Sequence, residues 1–197
     1  MKFKNYFFAA AMAAALCGCA EQKPANPLFS DFTAPFGIAP FDEITVDHFR
    51  EGMLKGLEEQ KAEIEAIINN PEAPTFENTI VALERSGALF NHVASVFFAL
   101  DGAESNPEMA EIMMEVMPLI TAHSNEINLN EKLFERVKAV YETRESLNLN
   151  TEESMLLENT FKGFADNGAN LSAEDKETYK QLSEKLSLAT MRFKQNS

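Results

Sequence analysis

Beyond Pro40 the apolar positions recur at three- and four-residue steps, and no stretch alternates with period two, so helices are predicted and strands are not. The first helix is expected to begin near Thr45 to Asp47 and to bury Val46, Phe49, Met53, Leu57, Ile64 and Ile68 as one stripe. Asn69-Asn70-Pro71 ends it. Thr75 caps a second segment carrying Phe76, Ile80, Leu83, Phe90, Val93, Phe97 and Leu100, with a kink or break at Ser86-Gly87. Asn106-Pro107 opens a third, with Met109, Ile112, Met113, Val116, Ile120 and Ile127 inward and Pro118 as a kink. Asn130 opens a shorter helix through Leu133, Val137 and Tyr141. Thr151 is expected to cap another, with Met155, Leu156 and Phe161, closed by Asn167-Gly168. Ser172 and Asp175 form a capping box for the last helix, whose stripe is Tyr179, Leu182, Leu186, Ala189 and Phe193. No Gly cap, Pro stop or polar tail follows that stripe, and the expectation is a helical domain incomplete at its C-terminus.

The pattern before Pro40 is different. Lys2 and Lys4 precede an apolar run over residues 6–16, which is a signal h-region in length and too short for the roughly 20 residues of a spanning helix. Leu16-Cys17-Gly18-Cys19 resembles a bacterial lipobox, which implies lipid attachment at Cys19; an ordinary secretory signal cleaved near Cys19 is the alternative. Residues 1–18 therefore read as a lipoprotein signal peptide, 19–27 as a tether and 28–197 as the helical domain. Pro27, Pro35 and Pro40, set among Leu28, Phe29, Phe32 and Phe36, predict an extended Pro/Phe-rich arm that lies on the body. The expected class is all-α, a multi-helix antiparallel array behind a signal peptide and this arm.

Composition narrows the chemistry. After cleavage only Cys19 remains, so core packing must hold the fold without a disulfide. Loss of Lys2 and Lys4 takes the formal charge from −14 to −16, which excludes electrostatic recognition of nucleic acid or anionic lipid. Membrane attachment then falls to acyl chains on Cys19. His48, His92 and His123 have no second His or Cys at ligand spacing, and no His-Glu-x-x-His occurs. His123, with Glu126 three residues on, reads as a surface or interface histidine, half a metal site being the alternative. Met109, Met113, Met114 and Met117 read as gap-filling core, with an adaptable binding surface as the other option. Spacing alone identifies no catalytic residue and no metal ligand.

Several stretches nevertheless carry a resemblance. They are Asn26-Pro27-Leu28, Ala34-Pro35-Phe36-Gly37-Ile38-Ala39-Pro40-Phe41-Asp42, and Phe76-Glu77-Asn78-Thr79-Ile80-Val81-Ala82-Leu83-Glu84-Arg85-Ser86-Gly87. Val93-Ala94-Ser95-Val96-Phe97-Phe98-Ala99-Leu100, Arg144-Glu145-Ser146-Leu147-Asn148-Leu149 and Phe193-Lys194-Gln195 continue it. In order and spacing they resemble the N-terminal region of the peptidyl-dipeptidases in the thimet oligopeptidase family of zinc metallopeptidases. The resemblance implies helices forming one wall of a deep substrate channel, with zinc and its ligands in a C-terminal half that this chain lacks. It also implies peptides as substrates of the full-length family and a C-terminal catalytic chain as a conceivable partner. The expectation is an envelope-anchored part of a peptidase, in the periplasm or on the outer membrane, inactive alone. The alternative is a non-catalytic helical lipoprotein that binds peptides or a partner protein.

Overall fold

The computed structural model describes residues 25–104 and 106–195. The expected signal peptide and Cys19 lie outside them. Among the described residues there is no strand. The longer helices are α1 (Val46–Ile68), α3 (Ala88–Ala103), α4 (Pro107–Asn128), α5 (Glu131–Glu142), α6 (Thr151–Asp166) and α7 (Ala173–Gln195). A short α2 (Ala82–Arg85) continues a π-helical segment, Phe76–Val81. No described helix is long and apolar enough to cross a membrane.

The helix starts follow from side-chain oxygens that accept the first unpaired backbone N–H groups. Thr75 accepts from Asn78, Asn106 from Met109, and Asn130 from Leu133. The helix expected to be capped by Thr151 is capped instead by Asn150, whose side chain accepts from the Glu153 N–H while Glu153 reaches back. Asn followed three residues later by Glu completes the reciprocal pair, and Thr151 becomes the first helical residue. The break at Ser86-Gly87 is present. Gly87 adopts φ +73°, a left-handed conformation that costs a side-chain-bearing residue about 1–2 kcal/mol.

Among the described residues two apolar clusters form the interior, and α1 runs through both. One joins the first half of α1 (Phe49, Met53) to α3 (Val93, Phe97), α4 (Met109, Ile112, Val116) and Leu28. The other joins the second half of α1 (Ile64, Ile67) to Ile80, α5 (Leu133, Val137) and α6 (Leu157, Phe164). With 23 residues, α1 is about 35 Å long, enough to serve as a shared spine. Its buried face includes Gly52 and Gly56, whereas Leu57 is only half-buried. A Cβ on Gly56 would lie 2.6 Å from the Phe90 Cα, so α1 and α3 touch backbone to backbone there. Two glycines one turn apart made this seam possible; apolar periodicity does not register them.

The N-terminal segment carries two single-turn 3₁₀ helices, Pro27–Phe29 and Pro35–Gly37. Leu28 is wholly buried and Phe32 packs against the first cluster. Phe36 points into solvent, 99% exposed, at φ +65°. The last helix departs furthest from expectation. Leu182, Leu186 and Phe193 are 59%, 68% and 75% exposed, not buried. Where α7 meets α4, Ser183 accepts from Asn125 Nδ2 at 2.8 Å and Ser187 from Thr121 Oγ1 at 3.0 Å, and Leu188 and Met191 are the half-buried apolar side chains of this part of α7.

Candidate functional site

A cleft of about 1100 Å³ lies between the N-terminal segment and the start of α1. Its apolar walls are Pro27, Phe29 and Leu54, and its rim carries Glu43, Asp47 and Glu51. Asn26 builds it. Its side chain accepts from the Leu28 N–H at 3.0 Å and donates to the His48 carbonyl at 2.8 Å and to Glu51 at 3.3 Å. A buried amide with partners on both segments fixes the segment to the helix. Lys55 lies 4.0 Å over the Phe29 ring, an added cation–π restraint.

His48 has a structural part here. Its Nδ1 accepts from the Thr45 N–H at 3.1 Å, capping α1, so that nitrogen is not open to a ligand. Arg50 donates to Asp47 at 2.6 Å and to Glu115 at 2.8 Å. The Glu115 hydrogen bond raises the Arg50 pKa above its ordinary value, with attraction from Glu115 and Asp47 adding to it and partial burial opposing it. The cleft offers acceptors over an apolar floor, which suits a cationic group with an apolar body. It contains no paired nucleophile and base.

A second, smaller groove of about 380 Å³ runs along α1 beside the π-helical segment and is lined by Glu63, Asn70, Asn78, Arg85 and Ser86, among others. Asn78 Oδ1 accepts from the Thr75 N–H (2.8 Å), the Thr79 hydroxyl (2.9 Å) and Arg136 (3.2 Å), while its Nδ2 donates to the Ala73 carbonyl. Arg136, buried on α5, also donates to the carbonyls of Asn70 and Glu72. Glu63 accepts from the Gly87 N–H at 2.7 Å, placing a carboxylate at the positive end of α3. The stretch 76–87, one of those that carry the resemblance, is thus a junction that fastens α5 and α3 to α1.

The three histidines stand apart in role. His92 lies against Phe32, ring centroids 4.6 Å apart, and its Nε2 is buried without a hydrogen bond. His123 Nε2 meets Gln60 Oε1 at 3.0 Å; burial lowers its pKa, partly opposed by Glu126. Met109 is core, Met113 packs on the first cluster, and Met114 and Met117 are half-buried. Among the described residues no group of three His, Cys, Asp or Glu side chains could hold a metal ion. The zinc of the resembled family therefore does not fit the described residues.

No family model matches the chain. Relatives do. The dipeptidyl carboxypeptidases of Escherichia coli and Salmonella typhimurium are each 39% identical over 170 residues, 86% of this chain and 25% of their own length. The chain is homologous to dipeptidyl carboxypeptidase. Oligopeptidase A of Escherichia coli follows at 23% identity over 162 residues, 82% of this chain and 23% of the relative. The likeness to the thimet oligopeptidase family stands over this stretch. The chain spans about a quarter of the length of the curated relatives it matches.

Proposed function

We propose that this chain is the N-terminal part of a lipid-anchored peptidase that releases dipeptides from the C-termini of oligopeptides. In this reading its helices line part of the substrate channel, and it is inactive alone. The observation that carries the reading is the 39% identity over 170 residues to enzymes named dipeptidyl carboxypeptidase. The cleft of about 1100 Å³, with Pro27, Phe29 and Leu54 beside Glu43 and Glu51, supports a part in holding peptide. Catalysis would come from the remaining part of the fold, continuous with this chain or supplied by a second one. The acceptor-rich cleft at Asn26 would then contribute to holding a peptide instead of cutting it.

Incubating the purified chain with oligopeptides and added zinc tests this directly. No dipeptide should appear; metal-dependent release by the chain alone overturns the reading. Anchoring is tested separately by metabolic labelling with a radioactive fatty acid. Label should enter the protein in the cell envelope and be abolished by Cys19→Ser, and an unlabelled envelope protein would remove the anchor from the reading.

A second reading, a non-catalytic helical lipoprotein that binds peptides or a partner, is favoured by the two well-filled clusters around α1. It expects one cooperative thermal transition for residues 20–197. A molten or aggregating product would count against it.

A further inference from the structure

We infer that the outward stripe of α7, formed by Leu182, Leu186 and Phe193, is the face on which the rest of the peptidase fold docks. This inference rests on the function proposed above.

At 100° per residue, positions 182, 186, 189 and 193 fall within a band of about 60°. They therefore make one continuous apolar line, and its three large side chains are more than half exposed. Scattered exposed leucines need no explanation, but an aligned row does. The helix cannot readily roll to bury it. Ser183 and Ser187, about a third of a turn away, hold Asn125 and Thr121 of α4, and Asn125 is itself buried. Rolling α7 inward would strand that amide without a partner. Lys176 and Tyr179 fix the start of the helix as well, through Glu131 at 3.2 Å and Asn167 at 3.4 Å. The stripe is thus held outward and requires cover from elsewhere.

The occupant follows from length and charge. The matched residues make up 25% of the dipeptidyl carboxypeptidases, so about three quarters of such a fold is available to cover the stripe. Exposed Lys185 and Arg192 lie along one margin of the stripe, so the covering element is apolar with a carboxylate edge. A second copy of this chain is a poor occupant, because a formal charge of −14 opposes self-association.

The test co-expresses the full chain with the part of the Escherichia coli dipeptidyl carboxypeptidase outside the matched residues, as a separate tagged polypeptide. The expected result is capture of the parent chain, reduced by about tenfold or more in the double variant Leu182→Glu, Leu186→Glu. The variant should melt within about 2 °C of the parent, since both side chains are more than half exposed. Equal capture of parent and variant overturns the stripe while leaving the proposed function standing. Failure to capture the parent overturns the inference and removes support from the function beneath it. A large fall in the variant's melting temperature overturns it too, because the stripe would then be packed internally. Self-association of the parent that the variant abolishes would assign the stripe to a second copy and overturn it as well.

Discussion

Two helix pairs in this molecule solve the same problem in opposite ways. Between α1 and α3, Gly56 brings the helices into backbone contact, and Phe49, Met53, Val93 and Phe97 fill the space beside it. Between α4 and α7, serine hydroxyls meet Thr121 and Asn125, and the apolar row faces away. The first seam is closed by shape and burial, which fail sharply when crowded. The second is closed by hydrogen bonds, each worth about 1 kcal/mol net. One seam belongs to a finished core; the other leaves its larger apolar surface unused.

The sharpest way to break the contrast is Gly56→Ala. The new methyl meets Phe90 main chain at 2.6 Å and 2.7 Å, so the helices must separate. A loss of about 2–3 kcal/mol is expected, read by urea unfolding. Gly52→Ala meets the Val93 side chain first, at 2.9 Å, and not backbone, and should cost less. Next comes Asn78→Ala, which withdraws an acceptor from Arg136, Thr75 and Thr79 at once. About 2 kcal/mol should be lost, together with faster proteolysis in residues 69–75. If Gly56→Ala proves as mild as this, α1 and α3 are not in rigid backbone contact.

The paired change Ser183→Ala, Ser187→Ala tests the other seam. It should cost roughly 1–2 kcal/mol, mostly from leaving Asn125 unpaired, and raise hydrogen exchange in α7 before any other helix. A loss as large as that of Gly56→Ala would erase the distinction. The smallest effect is a pH dependence at His123, beside Gln60, Glu126 and Lys61. Burial lowers its folded-state pKa, so the unfolded chain binds a proton more readily. The stability this supplies is complete above the unfolded value of about 6.5 and is lost as pH falls through the lower folded value. Unfolding at pH 7 and pH 5.5 should differ slightly more for the parent than for His123→Gln.

Helix starts were legible because Thr75, Asn106 and Asn130 satisfy orphan N–H groups locally, within three residues. The Ser86-Gly87 break was legible for a similar reason, since the left-handed turn suits glycine. The π-helical register of Phe76–Val81 was not, because Asn78 and Arg136 that hold its start are 58 residues apart. The cleft at Asn26 was equally hidden, being closed by bonds to His48 and Glu51, more than 20 residues away. In α7 the period gave the helix and its apolar line correctly, yet the inward side was misassigned. Periodicity locates a stripe; it does not say whether its partner lies within the chain. Gly56 escaped notice because a missing side chain leaves no apolar mark.

The course of α1 through both clusters sets a timetable for synthesis. All buried residues of the first cluster have been made once Val116 is added, whereas those of the second wait for Ala169. At 5–20 residues per second the interval is roughly 3–10 s. During it the near half of α1 has all its buried partners in the chain while Ile64 and Ile67 lack most of theirs. A nascent chain paused there would offer a holdase chaperone its most persistent apolar target.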